Sequence, residues 1–286
     1  MRRLWVVTLS LAALGLVACG HEAGQPGGTP AGALSGSLSV AGSTTVQPLA
    51  EKLAEEFGAR NPGVTIDVKG GGSSVGIKSA GQGTVDVGMA SREVKDSELK
   101  EFPGLRVHRI AIDGLAIVVN PGVEVTGLTR EQVQGIFAGR ITNWRQVGGA
   151  SAPIIVVARE EGSGTREFFQ QHFMDTALIT ERAILQSSNG AVRTTVAMTP
   201  NAIGFLSFGY VDASVKALSL DGVAPTEANV QSGSYRAWRY LNLLTNGEPR
   251  GLAKAWIDFI LSPEGQQIVV KEGYLEVSRP SFPAAP

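Results

Sequence analysis

Three times along this chain a short strand-like stretch ends in a loop of glycine and hydroxyl residues that opens into a helical stretch. Gly42-Ser43-Thr44-Thr45 follows a strand candidate at 37–40, and Gly70-Gly71-Gly72-Ser73-Ser74 follows an alternating one at 64–68. Arg159-Glu160-Glu161-Gly162-Ser163-Gly164-Thr165 follows a third at 154–157. The first loop leads into residues 46–57, where Val46, Leu49, Ala50, Leu53, Ala54 and Phe57 share one helical stripe. The second leads into a short helix over 75–80, the third into a helix over 166–173. Further strands are expected at 85–89, 115–119 and 202–208, and a helix at 252–261 stopped by Pro263. Strand–loop–helix units repeated in this way predict an α/β fold with mostly parallel sheets.

The loops share one chemistry. A helix N-terminus carries free backbone N–H groups and the positive end of the helix dipole, and both favour an anion. Glycine lets that backbone approach a ligand closely. Ser43, Thr44, Thr45, Ser73, Ser74, Ser163 and Thr165 add hydroxyl donors, and Gly164 adds a bare amide. Arg159 supplies a planar, permanently charged fork suited to a tetrahedral oxyanion. Serine and threonine also cap helices without any ligand. Three such loops, one with an arginine, favour a bound anion over three unrelated caps.

Other chemistries fit poorly. Gly71 to Gly76 has the glycine spacing of a P-loop, but Ile77 stands where its lysine belongs. Gly72-Ser73-Ser74-Val75-Gly76 matches a nucleophile elbow, so a secreted serine hydrolase is the competing reading from another class. It needs a histidine partner, and beyond the N-terminal region only His108 and His172 are available. No metal-ligand spacing appears, and no metal or cofactor is expected. A net charge of −1 argues against a nucleic-acid partner.

The N-terminus reads as a processing signal. Arg2 and Arg3 precede an apolar stretch over 4–17, shorter than a membrane-spanning helix requires. It ends in Leu16-Val17-Ala18-Cys19, which resembles the lipobox of bacterial lipoproteins. That resemblance implies cleavage after Ala18 and lipidation of Cys19, the only cysteine in the chain. A plain cleavage with an incidental cysteine is the alternative. The Gly-, Pro-, Ala- and Thr-rich stretch that follows, to residue 37, reads as a flexible tether.

Taken together, Ala41 to Pro48, Gly70 to Ile77, Asp86-Val87-Gly88-Met89-Ala90-Ser91-Arg92, Asp113 to Pro121 and Ile136 to Trp144 resemble the phosphate-binding proteins of ABC-type phosphate uptake, the PstS family. Arg159 to Arg166, Asn201 to Phe205 and Phe259 to Gly265 fit as well, so the likeness runs over 38–277. The resemblance implies a two-lobed periplasmic-binding-protein fold of the second type. Lobe I would comprise 38–112 and 211–286, and lobe II 113–210, after a signal at 1–18 and a tether at 19–37. It implies a non-enzymatic, extracytoplasmic, lipid-anchored monomer. Such a protein captures inorganic phosphate in its cleft and delivers it to ABC permease subunits in the membrane.

Carried over by position, Ser43, Thr44, Thr45, Ser73, Ser74, Ser91, Arg159, Ser163, Gly164 and Thr165 would surround the phosphate. One position departs from the family pattern. An aspartate that accepts a hydrogen bond from protonated phosphate is replaced by Arg92 after Ser91. Arg92 is kept as a candidate contact, and Asp113 is the candidate substitute carboxylate, with a hinge hydrogen bond as its alternative. Without a carboxylate at the ligand, sulfate, molybdate or another oxyanion competes with phosphate.

Overall fold

The structure, a computed structural model, describes residues 34–277. The expected signal sequence, Cys19 and most of the expected tether lie outside the described residues. Strand β1 (Ser35–Gly42) begins two residues before the expected end of the tether, because Ser35 already pairs with Gly63. Helix α1 (Gln47–Arg60) buries Leu49, Ala50, Leu53 and Phe57, the expected stripe. Pro48 stands in its first turn, where a missing N–H costs nothing. Next come β2 (Gly63–Gly70), α2 (Ser73–Gly81) and β3 (Val87–Ala90). β1 lies between β2 and β3, parallel to both.

After the short helix α3 (Asp96–Glu101) comes the element least visible in sequence, β4 (Leu105–Val119). Only its last five residues form an apolar run; Arg106, His108 and Arg109 interrupt the rest. β4 changes partners at one point. Residues up to Gly114 pair with β11, and from Leu115 onward the strand pairs with β8.

The chain then builds a second α/β half. It contains β5 (Gly127–Leu128), α4 (Arg130–Phe137), β6 (Ile155–Arg159) and α5 (Gly164–Phe169), which widens into a π turn over Gln170–Met174. β7 (Ile184–Gln186), α6 (Asn189–Met198) and β8 (Ala202–Ser207) follow, and β6 lies parallel to both β7 and β8. Phe169 stacks on Phe205 at 4.2 Å between centroids, with Phe137 tilted against both.

The expected return of the chain near residue 211 occurs later. Strands β9 (Lys216–Ala217) and β10 (Ser219–Leu220) and helix α7 (Glu227–Gln231) stay with the second half. Leu218, Val230, Tyr235 and Ala237 are buried in its core. The return is β11 (Trp238–Asn246), antiparallel to β4 on one side and β3 on the other. Helices α8 (Gly251–Leu261) and α9 (Pro263–Lys271) close the first half, with Trp256, Ile257 and Ile260 packed against Leu38, Leu53 and Phe57. Pro263 ends α8 and also starts α9, where Ser262 Oγ accepts from Gly265 N at 3.2 Å.

The strand order β2-β1-β3-β11-β4-β8-β6-β7 therefore has parallel strands within each half and antiparallel pairs at the join. The mostly parallel sheet expected from sequence holds only inside the halves. β4 carries the chain outward and β11 carries it back, so these two must run in opposite directions.

Candidate functional site

The carboxyl ends of β1, β2 and β3 bring the first two loops together. Gly72 N donates to Gly42 O at 2.9 Å, fastening one loop to the other. Gly42 has φ +139°, and a Cβ there would strike the Met89 carbonyl, so only glycine fits. Ser43 turns inward on its own loop: its Oγ accepts from Thr45 N at 3.2 Å, a local serine turn ahead of α1, whose cap position is Val46. Thr44 and Thr45 are buried at the start of α1. Ser73 is fully buried, and its Oγ accepts from Ser91 N at 3.0 Å.

The second half meets this face directly. Thr165 Oγ1 lies 2.9 Å from Thr45 Oγ1. Ser74 N donates to Gly162 O at 3.1 Å. Ser163 Oγ caps α5 by accepting from Arg166 N at 3.2 Å. Arg159, at the end of β6, is 2% exposed. Its Nε donates to Gln186 O at 3.1 Å and its Nη2 to Ser187 O at 2.9 Å. Burial pushes its pKa down to about 10, yet it stays charged at neutral pH. Gly164 packs directly against the first half. A Cβ there would overlap Ser73 Oγ and lie 2.8 Å from Ser91 Oγ.

Two expected contacts face elsewhere. Arg92 forms a fork on Glu98, with Nη1 to Oε2 at 2.8 Å and Nη2 to Oε1 at 2.7 Å. Its Nη2 also donates to Ser74 Oγ at 3.0 Å, and its Nε lies 3.2 Å from Glu167 Oε2 on α5. Burial works against the Arg92 charge, but Glu98 and Glu167 outweigh it and hold the guanidinium above its ordinary value. Ser74 Oγ in turn donates to Glu167 Oε1 at 3.3 Å. Ser74, Arg92, Lys95 and Glu167 thus form a latch between the halves. Neither histidine serves Ser74: His108 pairs with Thr245, and His172 stacks on Phe168.

Asp113 is fully buried, at the crossing of β4. Its Oδ1 accepts from Ser207 Oγ at 2.7 Å and Phe208 N at 3.2 Å. Its Oδ2 accepts from Arg239 Nη2 at 2.9 Å and Nε at 3.2 Å. Burial pushes the carboxyl up, and these partners only partly pull it back. All its acceptor positions are taken by these protein donors.

Arg239 and Asn189 complete the cluster and were not foreseen. Asn189 opens α6, and its Nδ2 donates to Thr45 Oγ1 at 2.9 Å. Ser187-Ser188-Asn189-Gly190 repeats the loop composition of the other three, the signal by which it could have been found. Tyr210 OH donates to Thr44 O at 2.6 Å and Tyr274 OH to Thr45 O at 3.2 Å, fixing the first loop from behind.

Two α/β halves joined by antiparallel strands, their polar loops meeting over buried arginines, define a solute-binding protein of the two-lobed periplasmic class. A PBP superfamily domain matches residues 27–264. The phosphate-binding protein PstS of Bacillus subtilis (strain 168) is 37% identical over 235 residues, 82% of this chain and 78% of that one. The chain belongs to the PstS family, whose members are substrate-binding proteins rather than enzymes. A Clostridium perfringens substrate-binding protein with bound phosphate superposes with a TM-score of 0.82 at 42% identity, covering 85% of this chain and all 100% of that one. An ABC-type phosphate transport receptor from Vibrio cholerae gives 0.70 at 36% identity, covering 83% and 99%. Among the described residues no helix is long and apolar enough to cross a membrane.

The contact at Gly164 yields a prediction. Gly164→Ala should hold the halves apart, because the methyl group meets the buried Ser73 hydroxyl rather than a flexible chain end. Overpacking of this kind costs ~1–3 kcal/mol, so ligand affinity should fall roughly 5- to 150-fold. Small-angle scattering with saturating ligand should show a larger radius for the variant; an unchanged radius and affinity would contradict this.

Proposed function

We propose that this chain captures inorganic phosphate between its two halves and delivers it to the membrane permease of an ABC importer. The observation that carries this reading is the convergence of hydroxyl loops from both halves on Thr45 and Thr165 beside two buried arginines, Arg159 and Arg239. The names of its relatives support the choice of ligand. Thr44, Thr45, Ser73, Ser91, Arg159, Gly164 and Thr165 surround the anion in this reading, with Ser43 and Ser163 shaping their loops. Arg92 and Ser74 act on closure through the latch, and Asp113 acts through Arg239. The first lobe comprises 35–114 and 238–277, and the second 115–237. Phosphate shifts the equilibrium toward the closed form, which docks on the permease. The protein works as an extracytoplasmic monomer, anchored by lipid on Cys19 after removal of residues 1–18.

A second anion is favoured by one observation. Asp113, the carboxylate paired with Arg239, has all its acceptor positions occupied, so it offers no free acceptor for the proton of phosphate. Calorimetric titration with phosphate, and with sulfate as competitor, tests both readings. Phosphate is expected to bind with micromolar affinity or tighter, about −8 kcal/mol or more. Heat with sulfate and none with phosphate would overturn the phosphate assignment.

A further inference from the structure

We propose that Arg239 donates directly to the bound oxyanion, as a second arginine supplied by the strand that joins the halves. This rests on the oxyanion reading above and goes beyond it, because nothing in the loop motifs points to residue 239. The side chain of Arg239 is 3% exposed. Its Nη2 lies 3.1 Å from Thr165 Oγ1 and 3.5 Å from Thr45 Oγ1, so it touches the anion loops of both halves at the place where they meet. Its Nε and Nη2 are occupied by Asp113. Its Nη1 is buried and has no hydrogen-bond partner.

A buried donor on a permanent cation is expensive to leave unpaired. The surrounding groups cannot relieve it. Asp113 is saturated, and the Thr45 hydroxyl already serves Asn189 and Thr165. Phe168 offers only its ring face, 5.4 Å from the guanidinium carbon. An oxyanion beside the paired threonine hydroxyls supplies the missing acceptor. It also supplies negative charge near two arginines whose mutual repulsion contributes to lowering Arg159. Asp113 is a positioning residue here: it sets the fork and balances one charge without touching the ligand. The two arginines and one carboxylate leave a buried net charge of +1, which favours an anion over a neutral solute.

The test compares phosphate and sulfate titrations of the wild-type chain, Arg239→Lys, Arg239→Met and the double variant Asp113→Asn/Arg239→Met. The double variant removes both charges together, so no lone carboxylate stays buried. Affinity for whichever anion the wild type binds should fall roughly 10- to 100-fold in Arg239→Met and in the double variant. Arg239→Lys should recover part of that loss, since a point charge cannot serve Asp113 and the ligand together. Emission from Trp238, the neighbour on β11 that shares a cavity with Arg239 and Phe168, reports binding independently. A folded double variant that binds within about threefold of the wild type overturns the proposal. Should the variants fail to fold, a liganded crystal structure of the wild type decides. Arg239 Nη1 within hydrogen-bond distance of an anion oxygen supports the proposal, and a separation beyond it overturns it. Wild-type chain that takes sulfate but not phosphate would overturn the phosphate reading and leave the Arg239 comparison to be made with sulfate.

Discussion

Asp113→Ala is expected to lower the unfolding free energy by about 3–5 kcal/mol, the cost of leaving one partner of a buried ion pair alone. The reason lies in Arg239 rather than in the aspartate. Burial pushes Asp113 up and Arg239 down, so keeping both charged in the interior is already costly. The pair itself is therefore a poor stabiliser. Breaking it is worse, because a guanidinium cannot shed its proton to escape the interior as a carboxyl can. Ser207 Oγ and Phe208 N lose their acceptor in the same step. Against a total of ~5–15 kcal/mol for a domain, this loss brings the chain close to unfolding at moderate temperature. Urea melts without ligand measure it, and a loss below ~1 kcal/mol would contradict the account. Saturating phosphate should restore part of the loss, since an anion bound to the folded state stabilises it by mass action and supplies the missing negative charge.

The same residues show what sequence could and could not reveal. The three loops were legible because glycine, hydroxyls and a following helix are neighbours in the chain, and their chemistry is local. The parallel half-sheets followed from the same alternation. The first ten residues of β4 were hidden because Arg106, His108 and Arg109 break the apolar pattern, although the strand pairs with β11 on both sides of a register shift at Ile110. Arg239 was hidden for a related reason. It stands between Trp238 and Tyr240 in a strand of mixed character, and its partners Thr45, Asp113 and Thr165 are far away in sequence. Arg92 follows Ser91, whose amide bonds the Ser73 hydroxyl, yet its own side chain turns another way. Only Glu98 and Glu167 reveal that its side chain serves the latch. Local composition thus identified the loops, and long-range pairing decides which of their side chains meet across the two halves.

Arg159→Met is expected to weaken phosphate binding by about 2–5 kcal/mol, roughly 30- to several-thousand-fold in Kd, while changing the stability of the unliganded chain little. The two expectations come from different partners. In the folded chain Arg159 is held by the carbonyl oxygens of Gln186 and Ser187, not by a carboxylate. Those bonds offset only part of what a 2%-exposed guanidinium loses in leaving water. Methionine fills the same space, removes that desolvation cost, and gives up two carbonyl acceptors worth ~1–3 kcal/mol each. The losses and gains are of similar size, so the melting temperature without phosphate should stay near that of the wild type. The anion has no such compensation. It loses a charged donor inside a closed, water-poor cleft, where the donor contributes most. The result to look for is a variant that melts normally alone and no longer gains stability from phosphate. A variant that keeps its phosphate-dependent rise in melting temperature would show that Arg159 is held in place by Gln186 and Ser187 for structural reasons, with the oxyanion carried by Arg239 and the hydroxyl loops alone.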